Sequence, residues 1–140
     1  MKKIFIASDH AGYNLKQQII KKFSKKLNIV DLGTDSSSTS VDYPNYAHLL
    51  CKNVLKNKTY GILVCGSGMG MSMTANKYKK IRAALCYSVK NTKLSRLHND
   101  ANIITLGARL INRSLAFKCL SIFLKTKFEK GRHLKRVKKI

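Results

Sequence analysis

The run Cys65-Gly66-Ser67-Gly68-Met69-Gly70 sets a thiol at the head of a loop with glycine at every second position, leading into the stretch MSMTANK. Glycines so spaced let the backbone turn sharply and present N–H groups, and the N-terminus of a following helix adds positive potential. The expected guest is an oxyanion or a phosphate. The spacing matches neither GxGxxG nor a Walker loop, and no Lys-Ser/Thr pair follows, which disfavours a nucleotide. Cys65 closes a strand-like run beside positive backbone dipoles, the setting of a thiolate base. Taken singly, the loop also reads as a tight strand-to-helix connection. A free cysteine, in turn, also reads as a small buried hydrophobe, which is the reading for Cys51, Cys86 and Cys119.

Two further clusters carry chemistry. In His98-Asn99-Asp100, histidine titrates near neutrality and can move a proton on a substrate oxygen, while Asn99 can donate to a developing oxyanion. A structural residue at a helix end is the other reading of His98. In the tail Glu129-Lys130-Gly131-Arg132-His133-Leu134-Lys135-Arg136, two arginines four apart share a face of any helix they form and can clamp one phosphate. A solvated basic tail is the alternative, for Arg109 as well.

The elements that must position these residues follow from hydrophobic period. Short runs rich in Ile, Val and Leu, at 4–8, 28–32, 60–65, 81–86 and 101–106, read as strands. Helical patterns lie between and after them, at 12–26, 44–57, 69–78, 90–97 and 112–127. This alternation predicts an α/β chain: a three-layer, Rossmann-like fold with a five-stranded parallel sheet flanked by helices. Ligands of such sheets bind beyond the carboxyl ends of the strands. Those ends carry Ser8-Asp9-His10-Ala11-Gly12, Gly33-Thr34-Asp35, the CGSGMG loop, Tyr87-Ser88 and Gly107-Ala108-Arg109.

At 140 residues with 44% hydrophobic side chains, one globular domain over 1–140 is expected, with a basic tail from about 129. No stretch approaches the roughly 20 apolar residues of a membrane span. The four cysteines lack CxxC or Cys/His ligand spacing, and the chain opens on a strand-like KKIFIAS rather than a secretory signal, so a cytoplasmic protein with free thiols is expected. Its 28 basic and 6 acidic side chains give a net charge of +22, enough to attract any polyanion. Yet 22 of the 28 are Lys, scattered through helical stretches as solvated faces. Interleaved aromatics, a recognition helix or zinc spacing, which would mark a nucleic-acid reader, are missing.

Taken together, IASDHAGYNLK, DYP, CGSGMGMSMTANK, IRAAL, SRLHNDANIITLGAR and GRHLKRV resemble ribose-5-phosphate isomerase type B, in the family shared with galactose-6-phosphate isomerase subunits. The resemblance runs over essentially the whole chain. It implies aldose–ketose isomerisation of an open-chain sugar phosphate through a cis-enediolate, with no metal or organic cofactor. By resemblance, Cys65 is the base that moves the proton between C1 and C2, with Ser67 beside it as a hydrogen-bonding partner. Asp9 and His98 open the furanose ring. Backbone N–H groups of Gly66, Ser67, Gly68, Met69 and Gly70, with Asn99, hold the enediolate charge. His10, Arg109, Arg132 and Arg136 form the phosphate set, and Tyr43 walls the sugar pocket. The family is homodimeric, sometimes tetrameric, with sites shared between subunits, so a dimer is expected.

The chain departs from the family at informative places. One branch replaces the cysteine by a glutamate six positions on; here that place is Met71 and Cys65 is present. Ser67 stands where many thiol-branch members have Thr, which keeps the hydroxyl. Galactose-6-phosphate isomerase subunits lack the HND and GRHxxR patterns, which favours the pentose phosphate. Isomerisation of allose 6-phosphate or galactose 6-phosphate is the rival within the family. A basic nucleic-acid-binding protein is the rival from outside it.

Overall fold

The computed structural model describes residues 2–140. Eleven elements alternate along them: β1 (Lys3–Ser8), α1 (Tyr13–Phe23), β2 (Asn28–Asp31), α2 (Tyr43–Asn57), β3 (Gly61–Cys65), α3 (Met69–Ala75), β4 (Ala83–Leu85), α4 (Val89–Leu97), β5 (Ile103–Gly107), α5 (Arg113–Lys125) and α6 (Gly131–Val137). All strand pairs are parallel, in the order β2-β1-β3-β5-β4. None of the helices is long and apolar enough to cross a membrane, among the described residues.

Strand alternation divides the core into two layers. Ile4, Ile6, Ile62, Val64, Ile104 and Leu106 point to one face, where they pack on Leu15 and Ile19 of α1 and on Ala116, Leu120 and Phe123 of α5. Phe5, Ala7, Leu63, Cys65 and Ile103 point to the other, against Ala47, Leu50 and Val54 of α2 and Met71 and Ala75 of α3. Strands buried on both faces account for the nearly unbroken apolar runs. The expected three-layer α/β architecture is the observed one.

Element boundaries move where polar side chains intervene. The fourth strand, expected over 81–86, keeps only three residues. Asn76 bonds both the N–H and the C=O of Ala83, Asn102 Oδ1 accepts the Arg82 N–H, and Asn91 takes the Leu85 carbonyl and the Tyr87 N–H. The helix expected over 69–78 therefore stops at Ala75, and Asn76 turns to β4 instead. The helix expected over 12–26 ends at Phe23 and gives way to turns through Lys26, whose N–H returns to the Phe23 carbonyl. The tail folds as a seven-residue helix, α6, which holds Arg132 and Arg136 one turn apart.

Strand order decides which loops matter. β1 and β3 are neighbours in the middle of the sheet; from β1 the chain steps outward to β2, then returns through α2 to β3 on the other side of β1. The crevice where the order switches therefore opens between the carboxyl ends of β1 and β3. The edge strands β2 and β4 end away from it.

Candidate active site

A cavity of about 410 Å³ occupies that crevice, lined by Asp9, Tyr43, Cys65, Gly66, Ser67, Gly70, Arg109 and Leu110. β1 delivers Asp9, whose N–H donates to the Val64 carbonyl and whose Oδ1 accepts the Gly12 N–H at 2.9 Å. A carboxylate held by that bond is fixed in place at the cavity wall. Cys65 ends β3 with a side chain only 4% exposed; its Sγ accepts the Gly68 N–H at 3.1 Å. Gly68 has φ +77° and opens α3, a backbone conformation that side chains other than glycine's rarely tolerate. The Ser67 hydroxyl accepts the Met69 N–H at 3.3 Å.

β5 completes the rim. The N–H groups of Ala108 and Arg109 donate to the carbonyls of Cys65 and Gly66, at 2.8 and 2.9 Å, and so stitch the two strand ends together. Arg109 lies over Gly66 so closely that a Cβ there would come within 3.2 Å of its Nη1. Tyr43, the first residue of α2, lays its ring against Gly70. A methyl group on Gly70 would meet the ring at 2.5 Å. His10 sits half-buried beside Asp9 and accepts the Val41 N–H on Nδ1 at 3.1 Å. The neutral ring therefore carries its proton on Nε2, as a donor.

The remaining expected site residues lie on the opposite rim of the same chain. His98 caps the C-terminus of α4, and Asn99 and Asp100 follow it toward the start of β5. Their carbonyls accept from Arg82 Nε at 3.1 and 2.9 Å, just before β4 begins, and Asn102 accepts from the Gly61 N–H at the start of β3. Cys65 stands at the other end of β3, four residues on, which is about 13 Å along the strand. The tail joins this second cluster: the Glu129 N–H donates to the Leu97 carbonyl at 3.1 Å, and His133 of α6 stacks on His98 with ring centroids 4.2 Å apart and planes at 17°. Arg132 and Arg136 are exposed beside it. One chain thus holds Asp9, His10, Tyr43, Cys65, Ser67 and Arg109 together at the carboxyl rim. It holds His98, Asn99, Arg132 and Arg136 together at the amino rim, and does not bring the two groups to one point.

The family described as Ribose/Galactose Isomerase matches residues 4–140. The chain belongs to that family. Among its ribose/galactose isomerase relatives, a probable ribose-5-phosphate isomerase B of Mycoplasma genitalium is 45% identical over 140 residues, covering 98% of this chain and 92% of the relative. The solved ribose 5-phosphate isomerase of Thermotoga maritima superposes with a TM-score of 0.95 at 47% identity, over 98% of this chain and 95% of that one. The solved Mycoplasma genitalium ribose-5-phosphate isomerase B, with bound ribulose-5-phosphate, gives 0.93 at 44% identity, over 98% and 92%.

Two residues of this family member escape a reading of the sequence. Arg96 looks like one more helix cation, yet it is buried and forms the strut of the amino rim. It bonds the Asp100 carboxylate at 2.9 Å, the Ala101 and Thr126 carbonyls, and the Tyr60 hydroxyl at 2.9 Å. His133 stands inside the GRHLKR run but reveals its part only through its stack on His98. Donor atoms of His98, Glu129 and His133 lie within 4.8 Å of one another, the spacing of a loose metal cluster. The near-parallel rings run their in-plane lone pairs side by side rather than toward a common point, so the arrangement is a stack and not a chelate.

Proposed function

We propose that the protein interconverts D-ribose 5-phosphate and D-ribulose 5-phosphate, by ring opening and proton transfer through a cis-enediolate, in sites each assembled from two copies of the chain. The observation that carries this is Cys65 Sγ at the mouth of the glycine turn, in one cavity with Asp9 and Arg109. The Mycoplasma genitalium relative, solved with bound ribulose-5-phosphate, supports a pentose phosphate as the guest.

In this reading Asp9 and His98 move protons on the ring oxygen and the anomeric hydroxyl and release the open aldehyde. The Cys65 thiolate takes the proton from C2 and returns it to C1. Negative charge collects meanwhile on the oxygens between them, and the hydroxyl proton passes from the C2 oxygen to the C1 oxygen. Fixed N–H dipoles from Gly66 to Gly70, with Asn99, are suited to that charge because they need no reorganisation as it develops. Arg109 and His10 approach the phosphate from the carboxyl rim. Arg132 and Arg136 approach it from the partner, and Tyr43 walls the sugar. Since His98, Asn99 and both tail arginines lie a strand length from Cys65 of their own chain, we assign them to the neighbouring copy's site. A homodimer is the smallest assembly that completes the set. Four free cysteines suit a reducing compartment, the cytoplasm.

Cys65→Ala should lower turnover on the order of 10³-fold while leaving the circular dichroism spectrum and the affinity for a phosphate-bearing inhibitor unchanged. Near-normal turnover would refute the assignment of the base. Side-by-side turnover of ribose, allose and galactose phosphates tests the substrate, and a preference for either hexose would overturn the pentose reading.

A further inference from the structure

We propose that His133 is a positioning residue for His98, its buried ring forming the plate that holds the His98 imidazole in line for opening the sugar ring. This rests on the isomerase reading above. The two rings are stacked at 4.2 Å and 17°, the offset-parallel contact in which one π face constrains the other without a hydrogen bond. His133 is 6% exposed, and its Nε2 is buried with no hydrogen-bond partner among the described residues. Glu129 Oε1, the nearest carboxylate oxygen, stands at 3.9 Å, beyond hydrogen-bond reach. A buried imidazole without a polar partner on that nitrogen contributes chiefly its face, and the face is against His98.

The surroundings of His133 disfavour its charged form. Burial, then His98, then Arg132 lower the pKa of His133, Arg136 adds to this, and Glu129 opposes it. The neutral form of His133 is thereby favoured, and its face lies against the half-buried His98 ring. The plate is tied to the substrate's other end as well. α6 carries His133 with Arg132 and Arg136, and the connection before it is pinned to α4 by the Glu129 N–H and by Arg96 Nε on the Thr126 carbonyl. Seating a phosphate on the two arginines thereby fixes the helix that aligns His98.

Ribulose 5-phosphate separates ring opening from proton transfer. Its O5 is esterified, so it cannot close a furanose ring, and exchange of its C1 proton with solvent requires only the base and the enediolate. In D2O we expect His133→Gln to lower conversion of ribose 5-phosphate by 10- to 100-fold, roughly the cost of a misaligned catalytic group. Deuterium incorporation at C1 of ribulose 5-phosphate should stay within about twofold of the unsubstituted protein, because the thiol and the phosphate clamp are untouched. His133→Phe, which keeps an aromatic plate and loses the nitrogens, should retain most of both activities. Parallel loss of conversion and exchange in His133→Gln would overturn the proposal. So would a His133→Phe variant as impaired as His133→Gln, since that pattern belongs to a polar ligand. Failure of the unsubstituted protein to exchange or convert either sugar would sink the isomerase reading itself, a distinct outcome.

Discussion

Cys51, Cys86 and Cys119 are fully buried, and burial pushes the thiols of Cys51 and Cys86 up to about 12 and 11 and raises that of Cys119. At neutral pH they are inert hydrophobes, filling the layers under α2 and α5. Cys65 is also covered, but it lines the open cavity and its sulfur takes an N–H bond from the glycine turn. Brief treatment of the native protein with iodoacetamide at pH 7.5 should therefore modify Cys65 alone, as mapped by peptide mass. The other three should react only after unfolding. Modification of Cys86 or Cys119 at a comparable rate in the native state would contradict this ordering. At this scale the sequence was informative where a residue's meaning lies in its neighbours along the chain. The Cys65 position followed from a strand end and a glycine loop. Arg96 and His133 were opaque because what defines them, a buried set of carbonyls and a facing ring, comes from distant segments.

Elements were legible as far as local period reaches. All five strands and the five expected helices are present, along with the carboxyl-rim loops, because buried parallel strands and amphipathic helices imprint directly on the order of side chains. What period cannot supply is lateral order. The placement of β5 between β3 and β4 rests on long-range pairing, and it is this order that removes the loops after β2 and β4 from the cavity while admitting Arg109. The junction of α2 and α3 shows how tightly two elements fix one wall. Tyr43 at the head of α2 lies on Gly70 in the first turn of α3, with no room for a methyl group. Gly70→Ala should thus displace the Tyr43 ring into the sugar pocket. Helix propensity favours the substitution by about 1 kcal/mol, so thermal stability should hold or rise while KM for ribose 5-phosphate increases on the order of tenfold. A fall in melting temperature with KM unchanged would show that Tyr43 packs the fold and does not wall the site.

At the scale of the molecule, the placement of the two residue clusters on opposite rims of one sheet is the feature with the widest consequence. The signal for it is present in the chain order. A residue between α4 and β5 must lie at the amino end of the sheet, and one after β3 must lie at the carboxyl end, because between parallel strands every crossover carries the chain from the carboxyl rim back to the amino rim. In the proposed reading, therefore, His98 of one copy and Cys65 of another serve one sugar. An isologous dimer, in which the same surfaces meet reciprocally, forms two such sites at once. This predicts complementation. Cys65→Ala and His98→Ala homodimers should each be inactive. When they are mixed and allowed to exchange subunits, half of the dimers become mixed on random pairing, and each mixed dimer holds one site with both substitutions and one with neither. Activity should thus recover to about a quarter of that of the unsubstituted protein, rising with the time of subunit exchange and absent when exchange is blocked by cross-linking beforehand. If each chain used its own His98 with its own Cys65, no mixture would contain an intact site. A mixture that stays inactive while native mass spectrometry shows mixed dimers would place both clusters' chemistry within a single copy.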